Sequence, residues 1–224
     1  MSNTTTPPTP KSNKTPTLVA AALMGVVVLF VVAILLTRNS STTTSGSTDA
    51  STGEVVQETS EISVTGEVLP SFADGEGADP ALGLLAPAVV GQNFSGQSES
   101  IVPGKRAMML AFVAHWCPHC QREVPKLADW ARGGKRNSID VRVIATSTQK
   151  DLPNYPPSAW LAKEGLDAPT LADDAGGTAA SAYGLTSFPF FVAIDAQGKV
   201  VARASGELSE AQFDALIAKA KSGT

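Results

Sequence analysis

The chain has 224 residues, 43% hydrophobic and 17% charged; at ~100–200 residues per domain this leaves room for one ordinary folded domain and additional segments. Seventeen Lys and Arg against 21 Asp and Glu give a formal charge of −4, so no overall basic field exists and no nucleic-acid partner is expected. The two cysteines, Cys117 and Cys120, are too few to staple a small disulfide scaffold and mark one local pair instead.

Residues 1–17, mostly Thr, Pro, Ser, Asn and Lys, lack apolar periodicity and read as a disordered cytoplasmic tail. Leu18 to Leu36 is a run of 19 residues without a charge, enough as a helix to cross ~28 Å of hydrocarbon. It outlasts the ~7–15 apolar residues of a cleaved signal peptide and ends in Leu35-Leu36-Thr37-Arg38, so an uncleaved single-pass signal anchor is expected over 18–36. Lys11, Lys14 and the amino terminus precede it and only Arg38 closely follows, which places the N-terminus in the cytoplasm and exports the rest. Residues 37–60 read as a flexible linker, richest in Ser, Thr and Gly from Asn39 to Gly53. Eight acids and no Lys or Arg fall within 54–100 and read as solvated surface; Ile62, Val64, Gly66 and Val68 alternate as in an edge strand.

The domain is expected over 61–224. Ala107 to Ala114 is a continuous apolar run, the signature of a strand covered on both faces. A helix is predicted over 117–132, with Val124, Leu127, Ala128 and Ala131 on one side and a kink at Pro125. Strands follow at Asp140 to Ala145 and Ala168 to Ala172, and helices at Pro157 to Glu164 and 176–183. Phe190 to Asp195 and Lys199 to Ser205 form a hairpin, and a last helix starts at Ser209 with Gln212 completing a capping box. This order implies an α/β fold, a central mixed sheet flanked by helices. Trp130 and Trp160 read as helix-packing residues.

Chemistry concentrates in His115-Trp116-Cys117-Pro118-His119-Cys120, where the buried strand meets the helix. If Cys117 starts the helix, Cys120 lies at i+3 on the same face, near enough for a reversible disulfide. The free N–H groups of the first turn favour a Cys117 thiolate, Pro118 fits that turn without losing a bond, and His119 adds a donor or cation. Each pKa unit of thiol depression is worth ~1.4 kcal/mol, or ~30 mV in a two-electron couple, so the Pro118-His119 dipeptide tunes the redox balance.

These residues resemble the thioredoxin superfamily, and more closely its membrane-anchored, TlpA/ResA-type thiol-disulfide oxidoreductases. The resemblance spans about 84–221 and rests on an ordered set: Ala86-Pro87, Gly104-Lys105, Trp116-Cys117-x-x-Cys120, Glu123-Val124-Pro125, Tyr183-Gly184-Leu185, Phe188-Pro189 and Asp195-Ala196-Gln197-Gly198-Lys199. It implies a thioredoxin-like fold, Cys117 as exposed nucleophile, Cys120 as resolving thiol, and Pro189 as a cis-proline facing the sulfurs, with the Phe188 backbone offered to an extended substrate. It implies no cofactor; the partners are extracytoplasmic proteins with thiols or disulfides and a membrane redox partner. The family's acid beneath the site is replaced by Ala111, leaving water or Glu123 as proton acceptor for Cys120. Pro118-His119 also matches the oxidising DsbA family, although the stretch from Thr146 to Pro189 is too short for its helical insertion. The anchored layout suggests a reductant and the dipeptide an oxidant, and the dipeptide tips the expectation towards the oxidant. The rival from another class is a thioredoxin-fold copper- or zinc-binding protein using His115, Cys117, His119 and Cys120. Against it, His115 is expected at the surface rather than as a ligand, and no metal is expected. Trp116 is open between shaping the substrate surface and packing beside the disulfide.

Overall fold

The computed structural model describes residues 56–75, 77–132 and 138–223. The expected tail and the expected anchor over 18–36 lie outside them; no helix among the described residues is long and apolar enough to cross a membrane. The elements are β1 (Ser63–Thr65), β2 (Ala88–Gln92), β3 (Ser98–Ile101), β4 (Met108–Val113), α1 (Pro118–Arg132), β5 (Asp140–Ala145), α2 (Pro157–Lys163), β6 (Thr170–Ala172), α3 (Thr178–Ala182), β7 (Phe190–Ile194), β8 (Val200–Ser205) and α4 (Glu210–Ser222). The strands form one mixed sheet in the order β1-β2-β6-β5-β4-β7-β8, with β3 also paired to β2. β5 runs parallel to β4 and β6, while β7 is antiparallel to β4 and β8.

β4 is central and all six of its residues are buried, as the unbroken apolar run requires. Successive side chains point to opposite faces of a strand. Met109, Ala111 and Val113 accordingly join the core under α1 and α4, with Val124, Leu127, Phe213 and Leu216. Met108, Leu110 and Phe112 join a second core with Tyr183, Phe190 and α3. Helices thus cover both faces, and the C-terminal end of β4 delivers the chain into the cysteine motif. α1 continues through Pro125 to Arg132. Trp130 is buried and stacks on Phe213 at 6.1 Å, and Trp160 is buried in the same core, as expected of packing residues. At α4 the Ser209 hydroxyl and the Gln212 side chain form the predicted capping box.

Three sequence expectations need correction. The hairpin β2–β3 was not anticipated; Asn93 turns the chain, its Oδ1 accepting from Ser95 and Gln97 N–H groups. The end of the 37–60 segment is not free: Gln57 N–H donates to Phe94 O at 2.9 Å and the Ser60 hydroxyl to Ala172 O at 2.7 Å. Among the acids read as solvated, Glu58 accepts from the Ser158 N–H at the start of α2, Glu99 pairs with Arg142, and Asp79 pairs with Arg203, whose side chain is fully buried. Burial makes an unpaired Arg prohibitive, so the guanidinium needs Asp79 at 2.8 Å and the carbonyls of Pro70 and Tyr183 at 2.7 and 3.0 Å. Gly184 is fixed by the same junction: its φ is +71° and the Pro70 carbonyl occupies the space a Cβ would need.

Candidate active site

Cys117 immediately precedes α1 and its carbonyl accepts the Gln121 N–H at 3.0 Å, so it sits at the N-terminal cap. Pro118 is the first helical residue, where a missing N–H costs nothing. Cys120, one turn on, is fully buried, and its sulfur accepts the Ala114 N–H at 3.4 Å. Both cysteines are free thiols. Burial pushes the Cys120 thiol far up, the Ala114 N–H opposes this, and the neighbouring Cys117 and Glu123 add to the rise. Cys117 is itself 6% exposed, which corrects the expectation of an exposed nucleophile: the loops around it leave little of its surface open.

Those loops are built from residues of the motif. The Trp116 indole N–H donates to the Ser147 carbonyl at 2.8 Å, and its ring meets Phe188 edge-on at 5.9 Å. Trp116 therefore packs beside the cysteines and remains partly exposed with Phe188. The Phe188–Pro189 peptide bond is cis, and the Pro189 carbonyl accepts the Gly206 N–H at 2.9 Å. His115, expected at the surface, is 1% exposed. Its Nδ1 donates to the Pro153 carbonyl at 2.7 Å and its Nε2 accepts the Gln149 N–H at 3.1 Å, pinning the 147–156 loop to the motif. With both ring nitrogens engaged by main chain, it does not serve the metal alternative, and among the described residues no group of three or more His, Cys, Asp and Glu could hold a metal ion.

His119 is exposed, and its Nδ1 lies 2.9 Å from Glu207 Oε1 and 2.9 Å from Arg122 Nη2. Ala111 is fully buried on the α1 face of β4. The acid that does enter this region is Glu123, 1% exposed: Oε1 accepts the Leu208 N–H at 2.8 Å and Oε2 the Lys126 ammonium at 3.2 Å. Burial raises the Glu123 carboxyl above its ordinary range despite those two donors. Sequence reasoning missed Glu207 and Arg122, since no local spacing links residues 85 positions apart.

The Redoxin family profile matches residues 65–217, about two thirds of the chain. Among curated proteins, the thiol-disulfide oxidoreductases ResA of Bacillus thuringiensis (strain Al Hakam) and of Bacillus anthracis are each 27% identical over 150 residues, covering 66% of this chain and 82% of theirs. Among solved structures, a thiol:disulfide interchange protein of the thioredoxin family from Chlorobium tepidum superposes with a TM-score of 0.51 at 24% identity, covering 66% of this chain and 99% of that one. The thioredoxin domain of a thiol-disulfide oxidoreductase from Bacteroides vulgatus gives 0.50 at 20% identity, covering 62% and 96%. At these identities the structural likeness is one of fold. A strand-to-helix Cys-x-x-Cys on a thioredoxin-like mixed sheet and a profile match over most of the domain lead to one conclusion: the chain belongs to the Redoxin family.

Proposed function

We propose that this protein exchanges disulfides with client proteins outside the cytoplasm through Cys117-Pro118-His119-Cys120, held to the membrane by residues 18–36. Its enzyme class is protein thiol-disulfide oxidoreductase. The observation that carries the chemistry is the placement of Cys117 at the cap of α1 with Cys120 one turn behind it, both thiols free. In the reducing direction the Cys117 thiolate attacks a client disulfide, forming one S–S bond as the client's breaks. Cys120 then loses its proton and attacks Cys117, so the enzyme disulfide forms and the client leaves with two electrons as two thiols. In the oxidising direction the same steps run backwards from the enzyme disulfide. Pro118-His119 favours the oxidant direction by stabilising the thiolate of the reduced enzyme. A membrane redox partner resets the pair.

Within this reading Glu123 receives the Cys120 proton: it is buried, it acts electrostatically on Cys120, and its carboxyl is raised towards the range useful to a general base. Phe188 and Pro189 present the main chain on which an extended client segment lies, beside the Trp116 ring. Cys120→Ser removes the resolving thiol and leaves the attacking one. Expression of the full-length variant is expected to trap clients as reducible adducts on Cys117, and a membrane-impermeant thiol reagent added to intact cells is expected to block them. An absence of adducts would overturn the exchange reading; adducts formed only out of reach of the reagent would overturn the location.

A further inference from the structure

The loop between β8 and α4 touches the site with three consecutive residues. The Gly206 N–H donates to the Pro189 carbonyl and the Leu208 N–H to Glu123 at 2.8 Å. Between them the Glu207 carboxylate gathers the cations of α1. Its Oε1 accepts from Arg122 Nε at 2.9 Å and Nη2 at 2.6 Å and lies 2.9 Å from His119 Nδ1; Oε2 is 3.4 Å from the Lys126 ammonium. The Glu207 side chain is 27% exposed against 59% for His119, 54% for Arg122 and 48% for Lys126, so the anion is the least solvated member of the cluster. Hydrogen bonds from Arg122 and His119 hold the Glu207 carboxyl down at about 2, and it carries its charge at every working pH. His119 and Arg122 are the second and fifth residues of α1, so both stand within its first turn and a half, directly behind Cys117 at the cap. The titratable and charged groups that meet here are thus His119, Arg122, Lys126 and Glu123 from α1 and Glu207 from the loop.

We propose that Glu207 is a positioning residue that lowers the reduction potential of the Cys117–Cys120 couple, by drawing Arg122 into an ion pair that offsets its charge at the Cys117 sulfur. The inference rests on the exchange reading above. A cation near the sulfur stabilises the thiolate of the reduced enzyme and makes the disulfide a stronger oxidant. The carboxylate cancels part of that field, so it opposes the oxidising influence of Pro118-His119 and keeps the couple more reducing than the dipeptide alone would make it. Sequence spacing hides this, because the counter-charge comes from the far end of the domain.

The test equilibrates the full chain, purified in detergent, with glutathione. The enzyme dithiol passes two electrons to glutathione disulfide; the enzyme S–S bond forms as the glutathione S–S bond breaks, and the two thiol protons end on the two glutathione thiols. Glu207→Gln leaves Arg122 and Lys126 uncompensated. It is expected to move the ultraviolet titration of the Cys117 thiolate to lower pH and to shift the equilibrium about three- to tenfold towards the dithiol, the reach of one half-screened unit charge; tenfold corresponds to ~30 mV. Arg122→Gln is expected to shift both readouts the other way. Glu207→Asp, which keeps the charge, is expected to stay within about twofold of wild type, and ~1 M salt to shrink the Glu207→Gln effect as the screening length falls to ~3 Å. An unchanged thiolate titration in Glu207→Gln, a shift towards the disulfide, or an equal shift in Glu207→Asp would overturn the assignment. A wild type that never equilibrates with glutathione would instead bring down the exchange reading beneath it.

Discussion

Replacing Glu123 by Gln separates two roles of a buried carboxylate. The amide keeps the shape and an oxygen for the Leu208 N–H, but it cannot take a proton or neutralise Lys126. Cys120 is buried and its thiol strongly raised, so its own ionisation near neutrality is rare and the resolving step needs a base. General-base assistance is worth ~10²–10⁴-fold; with water able to stand in, the variant should resolve a Cys117–glutathione mixed disulfide about a hundredfold more slowly, or ~2.7 kcal/mol of barrier. Rapid-mixing measurements against pH should show the wild-type rate levelling once Glu123 is ionised and the variant rate climbing until the two meet in alkali. Stability should move the opposite way. The folded carboxyl is raised, so its contribution is fully present below the unfolded value of ~4.3 and is lost as pH rises through the folded one. The variant should therefore match the wild type in acid and exceed it at neutral pH in urea unfolding. Equal rates across the pH range would refute Glu123 as proton acceptor, and a variant less stable at neutral pH would refute the burial argument.

Arg203→Met deletes the guanidinium, whose carbon lies over the Phe72 and Phe190 rings, and strands Asp79 and two carbonyls; urea unfolding should show a loss of about 4 kcal/mol, as when one partner of a buried pair is removed. Burial alone would raise Asp79, but the hydrogen bond and charge of Arg203 and the Ala81 N–H hold it below its usual range. That contribution is present above ~3.9 and lost as pH falls through the folded value, so the variant should show a flatter acid limb; a loss under ~1 kcal/mol would count against the pairing. Trp116→Phe keeps a ring beside Phe188 but leaves the Ser147 carbonyl without its donor; a cost of about 1 kcal/mol is expected in thermal unfolding, with faster hydrogen exchange in 147–156 and client trapping preserved.

Much of this fold was legible because its signals are local. The run around Met108–Val113 is too apolar for anything but a doubly covered strand, Asp140–Ala145 matches its predicted bounds, and Ser209 with Gln212 forms the capping box that the spacing implies. The Cys-x-x-Cys at the strand-to-helix junction was legible for the same reason. What escaped depends on distant partners. Ala88–Gln92 has only a three-residue apolar run and Ser98–Ile101 a single apolar side chain, so the hairpin rests on the Asn93–Gly96 turn between them. Nothing beside Asp79 indicates an Arg 124 positions away, and nothing beside His115 indicates the carbonyl of Pro153. Polar residues whose partners lie far along the chain look like surface until the fold brings the partner in.

The ring of His115 is saturated from both sides, by a carbonyl that can only receive a proton and an amide that can only give one. The two main-chain partners fix the orientation of the ring and place its N–H on the side of Pro153, so the residue is a spacer between the motif and the 147–156 loop. Of the motif's two imidazoles, one is thus a brace built into the scaffold and the other stands in solvent, so replacing His115 would disturb a wall of the site where replacing His119 would not.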